Sequence, residues 1–218
     1  MRRSAHGAKP RRANAPKGAV RTSARPAAND NVAALFVALI HHPVLDRNSR
    51  VVTSAITSLD LHDIARASHT YGVQTFFVVH PVAEQRDFAG RVLDHWRLGY
   101  GREYDSRRRE ALDLIEVVTG LDEAIVAAER ACGQRPLLVY TSARASGGTS
   151  YESLRARIEG DESTAFLLMF GTGFGLAPAL LERADLRLAP IQGPGKYNHL
   201  SVRAAAGIIL DRLRGHRL

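Results

Sequence analysis

The chain has 218 residues, 45% of them hydrophobic and 24% charged, and a formal net charge of +8. That length allows one domain with a full core, and that composition excludes a chain that is disordered throughout, collagen-like or membrane-embedded. The charge is unevenly placed. Arg2, Arg3, Lys9, Arg11, Arg12, Lys17, Arg21 and Arg25 fall within residues 1–28 without an acid, and the other 22 basic residues balance the 22 acidic ones.

Residues 1–30 are rich in Ala, Arg, Pro and Gly. They hold too few large apolar side chains to offset the entropy of ordering, so a disordered basic tail is expected ahead of one domain at residues 31–218. Three readings of the tail stand: an inert extension, a basic arm for nucleic acid, or an organelle transit peptide. Pro10, Pro16 and Pro26 weigh against the last by interrupting any amphipathic helix. The single cysteine, Cys132, excludes an internal disulfide framework and a Cys-based zinc site, and fits a reducing, cytoplasmic setting. No segment approaches the ~18 apolar residues of a membrane span.

In chain order, residues 32–40 form an apolar run consistent with a buried strand. Residues 59–71 carry Leu61, Ile64, Ala65 and Ser68 at helical spacing. Residues 73–79 predict a strand, Pro81 opens a helix towards Trp96, residues 112–118 predict a strand and residues 121–131 a helix. A strand at 136–140 leads into a loop, followed by a helix at 151–158, a strand at 165–170, a short helix at 176–183, a strand at 186–191 and a last helix at 198–213. Alternating strands and helices, with strands apolar throughout, predict an α/β fold with a mostly parallel sheet flanked by helices.

Ligands of such sheets bind beyond the carboxyl ends of the strands. Three loops have that position. Thr141, Ser142, Ala143 and Arg144 offer hydroxyls that bond a ligand or cap the next helix. Gly171-Thr172-Gly173-Phe174-Gly175 allows close backbone approach, yet has neither the dinucleotide spacing nor the lysine of a P-loop. Pro190-Ile191-Gln192-Gly193 leads through a Gly/Pro turn to Tyr197, Asn198, His199, Leu200 and Ser201. This segment suits the edge of a flat heterocycle, or caps the last helix.

The last two loops together resemble motifs 2 and 3 of the SPOUT, or α/β-knot, methyltransferases. Leu167 to Leu176 has the form of motif 2. Ala189-Pro190-Ile191-Gln192-Gly193 and Tyr197 to Arg203 hold the register of motif 3. Asp60, Arg66 and Thr70-Tyr71-Gly72-Val73 hold that of motif 1. The sequence departs from the ribose-methylating SpoU branch at Asp60 and His199, where that branch has Asn. Together with His41-His42-Pro43-Val44 and residues 57–72, the pattern is similar to a small bacterial family of SAM-dependent RNA methyltransferases. That family resembles the knotted part of tRNA (guanine-N1) methyltransferase.

The resemblance covers residues 33–214 and implies a C-terminal deep trefoil knot, S-adenosylmethionine (SAM) as cofactor, an RNA substrate (tRNA or rRNA) and a homodimer. It implies cofactor contacts at Thr141, Ser142, Gly171, Thr172, Gly173, Pro190, Ile191, Gly193, Tyr197, Asn198 and Leu200. Arg66 matches the motif-1 arginine near the acceptor. Asp60, Asp63 or His199 would take the proton if the acceptor is a base nitrogen. Arg66 is otherwise a helix-surface residue paired with Asp60 or Asp63.

His41 and His42, at the end of the first strand, are read either as a substrate-side loop or as purely structural. Arg97, Arg102, Arg107, Arg108 and Arg109, interleaved with Trp96, Tyr100 and Tyr104, are read either as an RNA surface or as a solvated loop. No spacing of His and acidic residues predicts a metal site. The competing function is a non-catalytic RNA-binding knot protein; a third is a methyltransferase acting on protein or a small molecule.

Overall fold

Residues 34–40 carry no polar side chain. In the computed structural model, which describes residues 32–144, 147–195 and 197–216 (for Arg102 the backbone alone), they form the buried strand β1 (Ala34–Ile40). The basic tail expected at residues 1–30 lies outside the described residues. β1 pairs in parallel with β4 (Thr75–Val79) on one side and β7 (Ala165–Gly171) on the other. β5 (Ile115–Val118), β6 (Leu137–Tyr140) and β8 (Leu186–Arg187) complete a six-stranded parallel sheet in the order β5-β4-β1-β7-β6-β8.

Both faces are covered, which is why these strands are apolar without alternation. The period of two sends Leu35, Val37 and Leu39 to one face and Phe36, Ala38 and Ile40 to the other. The first face packs under α1 (Ser58–Thr70), α2 (Ala83–Arg97), α4 (Ser106–Leu112), α6 (Tyr151–Gly160) and α8 (Val202–Arg214). α5 (Leu121–Cys132) and α7 (Pro178–Glu182) cover the second. Each fully buried phenylalanine, such as Phe36, Phe76, Phe77 and Phe166, contributes on the order of 1.5–3 kcal/mol by leaving water.

The differences from the sequence reading have local causes. Leu112 ends α4 rather than opening β5, because the helical register runs to the Asp113 N–H, which donates to the Arg109 carbonyl at 2.9 Å. The strand expected at 186–191 stops at Arg187. Leu188 still donates its N–H to the Tyr140 carbonyl at 2.9 Å, and beyond it the chain leaves the sheet edge. The last helix starts at Val202, not at residue 198, since the Ser201 hydroxyl accepts from the Ala204 N–H at 3.2 Å and so fixes the cap there. Asn198 and His199 therefore belong to the loop. Two elements carried no signal of their own: a hairpin of β2 (Val44–Leu45) and β3 (Val51–Val52), and the single-turn α3 (Gly101–Tyr104).

Candidate functional site

Beyond the carboxyl ends of β6 and β7 lies a cleft of about 400 Å³. Its wall contains Thr141, Ser142, Gly171, Thr172, Gly173, Pro190, Ile191, Asn198 and Leu200, together with Asp60 and His199. Three loops far apart in sequence thus meet at one site. Gly193 and Tyr197 are not in that wall; both face solvent, Tyr197 with 81% of its surface exposed.

The glycine loop is shaped by the β2–β3 hairpin. Phe174 N–H donates to the Leu45 carbonyl at 3.0 Å, and Leu45 N–H to the Gly175 carbonyl at 2.9 Å. Gly173 takes φ +59°, and a Cβ there would meet the Leu45 oxygen at 3.0 Å. At Gly171 a Cβ would lie 2.7 Å from the Leu176 nitrogen. Both glycines are thus required by backbone geometry, whatever the cleft holds.

Other polar groups in the wall also have structural work. The Thr141 hydroxyl donates to the Met169 carbonyl at 2.7 Å, tying β6 to β7. The Ser142 hydroxyl accepts from the Arg144 N–H at 3.1 Å. Asn198 donates its side-chain amide to the Ala143 carbonyl at 3.3 Å, joining the two polar loops. Arg144 stands 5.6 Å from the ring centroid of Phe174 at the cleft margin.

Asp60 sits at the first turn of α1, 6% exposed. One carboxylate oxygen accepts from Arg203 Nη1 at 2.9 Å and the other from the Thr57 hydroxyl at 2.7 Å. Arg203 Nε also reaches Asp63 at 3.4 Å. The partner of both acids is thus Arg203 on α8, not Arg66. Arg203, Phe170 and Ile209 are also in the wall. Phe170 and Arg203 stood inside the motif segments without a site role, and the approach of Arg203 and Ile209 depends on how α8 crosses α1.

Arg66 faces a second basin of about 650 Å³ between α1 and α4, together with His69, Tyr104, Asp105, Arg107 and Arg108. Arg108 stacks on Trp96, its guanidinium 4.9 Å from the ring centroid. Tyr100 and Tyr104 expose 74% and 72% of their surface beside it. Arg97 does not join them. Its guanidinium is turned inward onto the Leu112 and Ile115 carbonyls, both at 2.9 Å, and so ties α2 to the approach of β5.

His41 is fully buried behind the glycine loop, and His42 lies outside the cleft wall with Nδ1 3.0 Å from the Thr53 hydroxyl. Burial lowers the His41 pKa to about 4, helped by the neighbouring His80 and opposed by Asp60. His80 is lowered for the same leading reason, burial. Among the described residues, no three His, Cys, Asp or Glu side chains converge as metal ligands, and no helix is long and apolar enough to cross a membrane.

Residues 34–215 match the family described as SAM-dependent RNA methyltransferase. The chain belongs to that family. The tRNA (guanine-N(1)-)-methyltransferase of Oleidesulfovibrio alaskensis is 42% identical over 184 residues, covering 84% of this chain and 43% of that protein. The chain thus spans less than half the length of that curated relative. An uncharacterized protein of Aquifex aeolicus is 40% identical over 186 residues, covering 85% of this chain and 89% of its own. Among solved structures, the SpoU methyltransferase AviRb from Streptomyces viridochromogenes superimposes with a TM-score of 0.52 at 19% identity, over 85% of this chain and 60% of that one. The family member described here therefore has a SPOUT-like α/β fold.

Proposed function

We propose that this chain binds SAM in the cleft beyond β6 and β7 and transfers the methyl group to a nucleotide of RNA. The observation that carries the reading is the convergence of the 141–144, 171–175, 189–191 and 198–203 segments on one cleft of about 400 Å³, within the size range of small-molecule sites. Its donor set suits the cofactor. Phe170, Ile191, Leu200 and Ile209 offer apolar surface for an adenine ring, while Ser142, Thr172 and the glycine-loop backbone offer polar groups for a ribose and an amino-acid arm.

Bound SAM supplies an electrophilic methyl on a sulfonium leaving group. The chain's own contribution is placement and proton handling. Asp60, held by Arg203 and Thr57, is a fixed negative charge at the wall, suited to orient an N–H of the acceptor base. His199 has no hydrogen bond among the described residues, so its ring is free to meet the acceptor at the wall. Arg66, Arg107 and Arg108 in the second basin would engage phosphates, and the exposed Tyr100 and Tyr104 would stack on bases. The basic residues of segment 1–28 would extend that surface as an arm.

Three finer readings accompany this one. The C-terminal segment is threaded as a trefoil knot, a reading supported by α8 returning across α1 and α6 after the chain leaves the sheet edge beyond β8. The protein is a homodimer, supported by the open space around Gly207 on α8 and the exposed Leu59 and Leu200 near the cleft. It acts in the cytoplasm on tRNA, the substrate in the name of the Oleidesulfovibrio relative. Light scattering on the purified chain tests the dimer. Incubation with methyl-tritiated SAM, bulk RNA and protein extract, followed by nucleoside analysis, tests the function. Label in a modified RNA nucleoside is expected, and label in protein alone would refute RNA as the substrate.

A further inference from the structure

A chain of hydrogen bonds runs from the protein interior to the cleft. The Thr172 hydroxyl in the cleft wall bonds the Ser54 hydroxyl, and Ser54 Oγ lies 3.0 Å from His41 Nδ1. His41 is fully buried, and its Nε2 has no partner among the described residues. The backbone around it is fixed: His41 N–H donates to the Val79 carbonyl at 3.1 Å, and the His41 carbonyl accepts from Ser54 N–H at 2.9 Å. His80 is locked as well. Its Nδ1 accepts from the Val82 N–H at 3.1 Å, so its proton is on Nε2, donated to the Ser54 carbonyl at 2.9 Å.

These contacts fix the direction of the chain. A buried N–H without an acceptor is rarer and costlier than an acceptor left bare. The His41 proton is therefore on Nδ1, donated to Ser54 Oγ. The Ser54 hydroxyl then has its own proton to give. The His41 carbonyl is at 3.5 Å, whereas Thr172 is in close contact, so that proton goes to Thr172 Oγ1. Thr172 in turn keeps its proton for the cleft.

We propose that His41 and Ser54 are positioning residues that set Thr172 as a hydrogen-bond donor to an acceptor oxygen of the bound cofactor. The proposal rests on the reading of this cleft as the SAM site. It gives the His41 side chain a task inside the protein rather than at the substrate surface. It also accounts for a neutral buried histidine at the end of the central strand, since a protonated ring would place a charge behind the glycine loop.

Two measurements on the full chain test it. Long-range proton–nitrogen spectra of protein labelled with ¹⁵N-histidine, with the His41 signals assigned by their loss in His41→Asn, should place the His41 proton on Nδ1 at pH 7. A proton on Nε2 would overturn the proposal whether or not a ligand binds. Calorimetric titration with S-adenosylhomocysteine should show Thr172→Val and Ser54→Ala each weakening affinity about two- to tenfold. The double variant should be no weaker than Thr172→Val alone. His41→Asn, whose amide replaces Nδ1, should retain affinity, and His41→Leu should match Ser54→Ala; urea unfolding confirms that each variant is folded. Additive losses in the double variant, or wild-type affinity in Ser54→Ala, would overturn the proposal. Failure of the wild-type protein to bind would refute the SAM reading instead, with the tautomer spectrum still deciding the direction of the chain.

Discussion

Arg203 on the last helix holds Asp60 on the first, Nη1 to Oδ1 at 2.9 Å, at the wall of the cleft. The pair joins two segments 143 residues apart, and it leaves Asp60 with both oxygens engaged. Removing the guanidinium strands a carboxylate that is almost entirely buried. Arg203→Ala should therefore destabilise the fold by about 1–3 kcal/mol in urea unfolding, and Asp60→Asn in that background should recover part of the loss. Equal stability of Arg203→Ala and wild type would remove the pair from any structural role.

The histidines behind the glycine loop predict a pH dependence of definite sign. His41 is depressed to about 4 in the folded chain against an ordinary 6.5. Its stabilising contribution is complete above pH 6.5 and is lost as pH falls from 6.5 through 4, because the unfolded chain takes up the proton first. Between pH 7 and pH 5 this amounts to about 2 kcal/mol, and His80, depressed in the same direction, adds to it. Unfolding at the two pH values, in wild type and His41→Asn, measures it; the variant should show the shallower loss.

Gly173 lies at φ +59° with the Leu45 carbonyl beside it. Gly173→Ala should cost about 1–2 kcal/mol of stability from the left-handed backbone alone. It should also weaken SAM binding, because displacing Leu45 moves the loop that the hairpin holds. A variant with unchanged calorimetric affinity would separate the hairpin from the cleft.

The second basin separates RNA contact from cofactor contact. Arg107→Ala and Arg108→Ala should each lower RNA affinity and reduce the salt slope by about one unit, with SAM affinity unchanged. Deleting residues 1–28 should act in the same direction. Arg66→Ala should act likewise, lowering RNA affinity, and with it methyl transfer at limiting RNA, while leaving SAM binding intact. Unchanged RNA affinity would return Arg66 to an ordinary surface role. Filter-binding titrations across a salt series provide the slopes.

Much of the fold was legible because it rests on local chemistry. The unbroken apolar runs at β1, β4 and β7 predicted a sheet covered on both faces, and the glycine-rich turn after β7 pointed to the ligand edge. What was not legible depends on distant partners. The two-residue strands at Val44–Leu45 and Val51–Val52 exist because they pair with each other and hold Phe174 and Gly175, which no window of sequence reveals. Arg97 looked like its arginine neighbours, yet the Leu112 and Ile115 carbonyls capture it. Arg203 stood in the motif 3 segment, but its pairing was not legible, since its acids lie on another helix.

The most direct measurement of the central claim is a calorimetric titration of the full chain with SAM, repeated with Ile191→Glu, which places a charge on the apolar wall. Saturable binding of one SAM per chain, lost or strongly weakened in the folded variant, is the result predicted. Absence of heat for the wild type, or equal affinity in the variant, would contradict the assignment of this cleft to the cofactor.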